Sequence, residues 1–159
     1  SWGGAGFDLP ITHYRSLLYP VNAEQYWAAG QDDNSFKIDN VSCKYPDRHT
    51  DLMDLLSGFQ VSASAPLNEI ATLCGFPGDT SISTNEQIWD NYQAGGIKDI
   101  RNACETEVLN TYLVYLNLQR NRGIIDLVQY ENECRMVRDN LTASGQSHLI
   151  TFEKSWLDQ

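Results

Sequence analysis

Apolar residues recur every three or four positions along most of the chain, a spacing typical of helices with one buried face. The segments that follow this spacing, and are predicted to be helical, are residues 10–20, 51–59, 66–78, 85–95, 97–123 and 124–141. Strand-like patterns are short and confined to residues 35–42 and 61–65, while residues 148–157 fit neither pattern clearly. The pattern alone therefore predicts a mostly helical domain.

Polar residues at the predicted helix starts support these boundaries. Asp51 is placed to cap the helix that follows it. Thr84 with Gln87, or Ser83 with Glu86, can form a capping box. Within the longest helix, the positions predicted to form one buried stripe are Ile97, Ile100, Cys104, Val108, Thr111, Tyr115 and Leu118.

Composition places the chain among globular proteins. It has 159 residues, of which 42% are hydrophobic, and a chain of this length can bury roughly 70% of its unfolded surface. No apolar run approaches the roughly 20 residues that span a bilayer, and no leader pattern is found. The four cysteines lack C-x-x-C spacing, so we expect reduced thiols in a soluble, cytoplasmic protein without a membrane partner.

The net charge of −10 restricts the nucleic-acid partners that the chain can have. Phosphate contacts are supplied by lysine and arginine, so an acidic chain does not coat nucleic acid without specificity. The charge is compatible with an enzyme that meets one strand end, because a metal site built from carboxylates is acidic and bound ions reverse the local charge.

The first ten residues, SWGGAGFDLP, contain three glycines before a single aspartate. A dinucleotide-binding loop would need a third spaced glycine where Leu9 stands, and a P-loop would need Lys and a hydroxyl instead of Phe7 and Asp8. A phosphate cradle is therefore disfavoured. The simplest structural interpretation is a turn into a helix near Pro10, with Asp8 as the N-cap.

The same ten residues resemble the second exonuclease motif of the predicted bacterial 3′–5′ exonucleases related to the proofreading domain of family B DNA polymerases. Three further blocks are similar to that family and follow in the same order, namely RHTDLMDLLSGF, APLNEIATLCGFPG and ACETEVLNTYLVYL. The resemblance extends from Ser1 to about Thr142. It implies an exonuclease-like domain over residues 1–142 and a C-terminal tail over residues 143–159.

The resemblance implies an α/β protein with the RNase H-like fold of the DEDD exonucleases. The chain would lack the first strands of that fold and be mostly helical, with few short strands. By the same resemblance, Asp8 and Glu107 are the catalytic, metal-binding carboxylates, Mg²⁺ or Mn²⁺ is the cofactor, and the 3′ end of single-stranded DNA is the substrate. Two such ions would activate water and stabilise the leaving oxygen.

Departures from the family pattern fall on its functional positions. Gly3 replaces an asparagine, Ala103 replaces the tyrosine of the third motif, and Glu107 replaces its aspartate. The family's Asp-x-Glu pair would lie before Ser1. We therefore expect an exonuclease that is impaired or inactive, either as part of a longer enzyme or as a degenerate relative. The alternative is a noncatalytic binding or assembly module, and a second copy or a partner chain is expected to cover the place of the missing strands.

Other polar and aromatic residues have simpler structural explanations. The histidines are expected to be packing or surface residues, these being His13, His49 and His148. The arginines near helix ends could touch a backbone phosphate but are expected to be solvated charges, these being Arg120, Arg122, Arg135 and Arg138. Asp54 is expected to be a solvated charge. Tyr112 and Tyr115 are expected to lie in the core, and Trp27 and Trp89 in the core or at an interface.

Overall fold

A computed structural model describes residues 1–27, 49–78 and 84–157. The helices within these ranges are α1 (Asp8–Leu18), α2 (Glu24–Trp27), α3 (Leu52–Leu56), α4 (Leu67–Leu73), α5 (Asn85–Gln93), α6 (Ile97–Asn121), α7 (Leu127–Ala143) and α8 (Ser147–Leu157). The chain divides into two compact units, Ser1–Ser64 and Ala65–Gln159.

The first unit is organised by a hydrogen-bonded loop between the chain start and α3. The carbonyl of Ser1 accepts the N–H of Leu52 at 2.9 Å, and the backbone nitrogen of Ser1 donates to the Thr50 carbonyl at 2.9 Å. Leu52, the first residue of α3, is only 1% exposed. These contacts bring a segment nearly fifty residues away in sequence onto the loop before α1.

The second unit is a helical bundle built around α6. This helix packs against α4, α5, α7 and α8, and α7 also packs against α8. The buried apolar residues of the unit are Ala71, Phe76, Ala103, Leu113, Val114, Leu116, Cys134, Leu141, Phe152 and Trp156. The core therefore surrounds one face of α6.

Two capping boxes fix helix starts in the second unit. Thr84 Oγ1 accepts the N–H of Gln87 at 3.2 Å, and the Gln87 side chain accepts the Thr84 N–H at 3.2 Å. This confirms one of the two predicted boxes. Asp126 and Gln129 form a second box at the start of α7, with distances of 2.8 and 2.9 Å.

The buried face of α6 differs from the predicted stripe. Residues of α6 that are buried are Ala103, Asn110, Leu113, Val114 and Leu116. Ile97 and Val108 of the predicted stripe are 61% and 62% exposed. The prediction was wrong because α6 has apolar residues on two faces, and the packed face begins with a small residue and includes a polar one. Helical spacing cannot show which of two faces meets the core.

The helical part of the expected fold is confirmed, whereas none of the described residues forms a strand. Within the predicted loop or strand at residues 61–65, the residues Val61–Ala63 form a 3-10 turn. The other candidate strand, residues 35–42, lies outside the described residues. The unclear segment at 148–157 is helical and belongs to α8. No helix of the described ranges is long and apolar enough to cross a membrane.

Cysteine chemistry agrees with the expectation of thiols. Within the described ranges Cys74, Cys104 and Cys134 are free thiols, and Cys43 lies outside those ranges. Burial raises the pKa of the Cys134 thiol, more than the Tyr130 hydroxyl and nearby arginines lower it. Cys134 is therefore a packing residue on α7, since a thiol with a raised pKa is a poor nucleophile.

Candidate functional site

The glycine loop at the chain start is bound by a carboxylate. Asp51 Oδ1 accepts the N–H of Gly3 at 2.8 Å, and Asp51 Oδ2 accepts the N–H of Ala5 at 2.7 Å. Gly3 has a φ of +71°, a conformation that favours glycine. Because these N–H groups face a carboxylate, they do not form a phosphate cradle.

Asp51 also caps α3, as the sequence predicts. Its Oδ1 accepts the N–H of Met53 at 3.1 Å and that of Asp54 at 3.4 Å. Burial acts to raise the pKa of Asp51, but the backbone N–H groups of Ala5, Gly3 and Asp54 outweigh it, so the pKa lies below its ordinary value. Asp51 is thus held as an anion that fixes the approach of the chain to Asp8.

Asp8 is the first helical residue of α1, and Phe7 occupies the N-cap position without a capping side-chain bond. The interpretation of Asp8 as an N-cap is therefore wrong. Its side chain is exposed, and an anion in the first helical turn is favoured by the helix dipole. Gly4 packs closely here, since a Cβ at that position would lie 3.1 Å from Asp8 Oδ2. The carboxylate of Asp8 is therefore presented to solvent rather than used in capping.

Glu107 lies in the middle of α6, one turn after Ala103. Glu107 is half-buried, and Ala103 is 6% exposed. Positions separated by four residues share a helical face, so the carboxylate and the methyl group lie on neighbouring parts of one surface. Ala103 brings no hydroxyl or other polar group to this surface.

A cavity of about 270 Å³ opens beside Ala103, between α6 and α8. Residues lining it include Pro77, Asn102, Thr106, His148, Phe152 and Ser155. His148 Nε2 lies 2.6 Å from Glu105 Oε2, and Arg101 Nε lies 3.2 Å from Glu105 Oε1. The third-motif segment thus borders a mixed polar and apolar cavity.

The two candidate carboxylates have the donor atoms of a divalent-metal site. Carboxylate oxygens are the donors that Mg²⁺ and Mn²⁺ prefer, and Mg²⁺ is often held by one or two carboxylates with waters and substrate phosphates. Asp8 and Glu107 fit that chemistry as single ligands. In the portion of the chain that the structure describes, no group of three or more His, Cys, Asp or Glu residues could hold an ion.

The histidines and several arginines have structural partners. His13 Nε2 lies 2.8 Å from the Tyr26 hydroxyl, and His49 Nε2 lies 2.9 Å from the Ser1 hydroxyl. The guanidinium of Arg120 lies 4.8 Å from the ring centre of Tyr130, and that of Arg138 lies 4.1 Å from Trp156. These arginines stack on aromatic rings, whereas Arg122 and Arg135 are exposed.

The four aromatic residues that were predicted to lie in the core or at an interface differ in their burial. Trp27 and Trp89 are 49% and 60% exposed, so neither lies in the core. Tyr115 is half-buried. Tyr112 is 38% exposed, so the prediction that it lies in the core was wrong, and it donates its hydroxyl proton to Glu133 Oε2 at 2.9 Å. Burial, with this hydrogen bond, raises the pKa of Tyr112 to about 12.

Sequence reasoning missed Asn102, Thr106 and the pairing of His148 with Glu105. Asn102 and Thr106 are four residues apart and therefore lie on the same face of α6, next to Ala103. This spacing could have been read from the sequence. His148 lies 43 residues from Glu105. Their pairing depends on the packing of α8 against α6, which helical periodicity does not specify.

Comparison with known proteins supplies one match. A family model of predicted 3′–5′ exonucleases related to the exonuclease domain of PolB covers residues 1–156. Comparisons with curated proteins and with solved structures give no match.

Proposed function

The chain belongs to the family of predicted 3′–5′ exonucleases related to the exonuclease domain of PolB, and from this premise we propose that it hydrolyses DNA from the 3′ end of a single strand. The match over residues 1–156 carries the proposal, because that range includes both Asp8 and Glu107. An RNase H-like fold and a cytoplasmic location are parts of the same proposal.

Asp8 and Glu107 are the proposed metal-ligating carboxylates. The exposed position of Asp8 in the first turn of α1 supports its role, since the carboxylate is not used as a cap. A bound divalent ion would supply an activated water and charge neutralisation at the phosphate. The part of each residue would be to supply carboxylate oxygen to such an ion.

The residues at 103 and 107 predict a slow reaction. Ala103 has no hydroxyl with which to orient the attacking water. The extra methylene of Glu107, compared with aspartate, displaces the carboxylate, and small misplacements can cost about a hundredfold in rate. The enzyme is therefore proposed to be impaired in its chemistry.

A noncatalytic binding or assembly module is the second candidate. The buried methyl of Ala103 favours it, because the site lacks the polar group that the family places there. The exposed apolar residues Ile97 and Val108 on α6 favour it as well, since they could contact another chain.

Release of nucleotides from a 3′-labelled single strand in Mn²⁺ tests the proposal. Glu107→Asp should raise the rate at least about tenfold, and Asp8→Ala should abolish it. Asp54→Ala is the matched control and should leave the rate unchanged. If wild type and Glu107→Asp both release no nucleotide while remaining folded, the exonuclease proposal fails and the noncatalytic module takes its place.

A further inference from the structure

The cavity between α6 and α8 contains a buried acceptor that lacks a partner. Asn102 Oδ1 is shielded from solvent and has no hydrogen-bond partner within the described ranges. Buried polar atoms in proteins are almost always hydrogen-bonded, and exceptions call for a water, an ion or a ligand. Asn102 lines the cavity, so a donor bound in the cavity could satisfy this oxygen.

The cavity has both apolar and polar walls. Pro77, Ala103 and Phe152 supply apolar surface, and Phe152 is only 4% exposed. Thr106 and Ser155 supply hydroxyls. The Thr106 hydroxyl donates to the Ala103 carbonyl at 2.8 Å, so its oxygen can only accept a further hydrogen bond. This combination suits a flat molecule with apolar faces and hydrogen-bonding edges.

Both oxygens of the Glu105 carboxylate have partners beside the cavity. Glu105 Oε1 forms an ion pair with Arg101 at 3.2 Å, and Glu105 Oε2 is hydrogen-bonded to the lining residue His148 at 2.6 Å. The carboxylate is therefore held by its own neighbours and is not left without a partner at the cavity edge.

We propose that this cavity binds the base of a single nucleotide, with an exocyclic amino group donating to Asn102 Oδ1. The choice of a nucleotide rests on the proposed function. The cavity volume of about 270 Å³ is near the lower limit of ligand pockets, about 300 Å³, which favours one nucleotide over a longer strand. The base faces would contact the apolar walls, and the amino group would distinguish cytosine from uracil.

Binding of dCMP and dUMP to the whole chain in metal-free buffer tests this directly, by calorimetry or NMR titration. The two nucleotides differ at the group that faces Asn102 Oδ1. One net neutral hydrogen bond predicts that dCMP binds about fivefold more tightly than dUMP. Equal affinities, or no binding of either at millimolar concentration, would overturn the proposal.

Substitutions at Asn102 assign the preference to this residue. Asn102→Ala should abolish the discrimination between dCMP and dUMP, and Asn102→Asp, which keeps an acceptor, should retain it. Asn121→Ala, an exposed asparagine on the same helix, is the matched control and should bind like wild type. A preference that survives in Asn102→Ala would refute the assignment. Ala103→Leu, which adds side-chain volume to the cavity wall, should weaken the binding of both nucleotides.

The cavity proposal and the exonuclease proposal can fail independently of each other. Nucleotide binding without metal requires no hydrolysis, so it is measured independently of DNA cleavage. If dCMP is preferred but no DNA is hydrolysed, the base-binding cavity stands and the exonuclease proposal fails. If DNA is hydrolysed without any dCMP preference, the cavity proposal fails alone.

Discussion

At the scale of single residues, Asp51 connects two distant parts of the first unit. Its carboxylate caps α3 and binds the N–H groups of Gly3 and Ala5. The cap could be predicted from sequence, because an aspartate before an apolar helix is a local signal. The bonds to Gly3 and Ala5 could not, since they join residues more than forty positions apart and depend on the fold.

Removing this carboxylate should destabilise the first unit. Asp51→Ala is expected to lower the free energy of unfolding by about 2–4 kcal/mol, through the lost cap and the unpaired backbone donors. Urea unfolding and hydrogen exchange at the Gly3 and Ala5 amides would measure the change. Asp54→Ala on the same helix is the control, with an expected change within about 0.5 kcal/mol. Equal effects of the two substitutions would contradict the role of Asp51.

The lowered pKa of Asp51 predicts acid sensitivity with a defined sign. The folded state binds this proton less readily than the unfolded state, whose pKa is near the ordinary 3.8. Its stabilisation is therefore complete above that value and is lost as the pH falls through the lower folded pKa. Unfolding measured as a function of pH should show this loss in wild type, and Asp51→Asn should not show it.

His49 predicts a separate effect at higher pH. Burial lowers the pKa of His49 from 6.5, so the folded state resists protonation and stability should decline as the pH falls below that value. Replacing His49 with Gln should flatten the stability curve in this range without changing the Asp51 transition. An unchanged curve would show that His49 titrates alike in both states.

At the scale of elements, the starts and ends of several helices follow from local chemistry, whereas the packed face of α6 does not. The capping box of Thr84 and Gln87 is a local signal, as is the glycine that follows α6. The choice of face depends on Ala103 and Asn110, whose burial arises from neighbouring helices. Because Ala103 is small and Asn110 is polar, the hydrophobic pattern of the sequence does not indicate that their face of α6 is the buried one.

The turn after α4 is fixed by Gly78, and this gives a steric prediction. Gly78 has a φ of +67°, and a Cβ there would lie 2.3 Å from Thr72 Oγ1 and 2.5 Å from the Asn68 carbonyl oxygen. Its N–H donates to the buried Asn110 Oδ1 at 3.2 Å. Gly78→Ala should therefore destabilise the second unit by about 3 kcal/mol or more.

Gly75 provides the matched control for that change. It also has a positive φ, but a Cβ there would meet open space, so Gly75→Ala should cost only about 1–2 kcal/mol. Thermal or urea unfolding compares the two variants. If both substitutions cost the same, the close contact around Gly78 does not determine the stability of the turn.

At the scale of the whole molecule, α6 has an apolar surface that the described chain does not bury. Ile97 and Val108 are 61% and 62% exposed, and exposed apolar groups favour association. We predict that the chain self-associates as its concentration rises, as light scattering after size exclusion would show. The sequence-based division into a domain over residues 1–142 and a tail over residues 143–159 stays a prediction. Helix α8, which lies in that tail, packs against α6 and α7.

Val108→Lys should weaken this association, because a charge would have to be desolvated at the contact. Val128→Lys on α7, where Val128 is 64% exposed, provides the control and should associate like wild type. A chain that stays monomeric at all concentrations would refute the predicted interface. If Val108→Lys and Val128→Lys change self-association equally, the interface is not specific to the α6 surface.

Mn²⁺ binding, measured by electron paramagnetic resonance on the whole chain, shows whether Asp8 and Glu107 are metal ligands. We predict weak Mn²⁺ binding that falls at least about tenfold in Asp8→Ala and in Glu107→Ala, since each removes a proposed carboxylate ligand. Asp54→Ala should bind Mn²⁺ like wild type. If both carboxylate variants bind Mn²⁺ as wild type does, neither residue is a ligand, and the family scaffold serves here in a noncatalytic role.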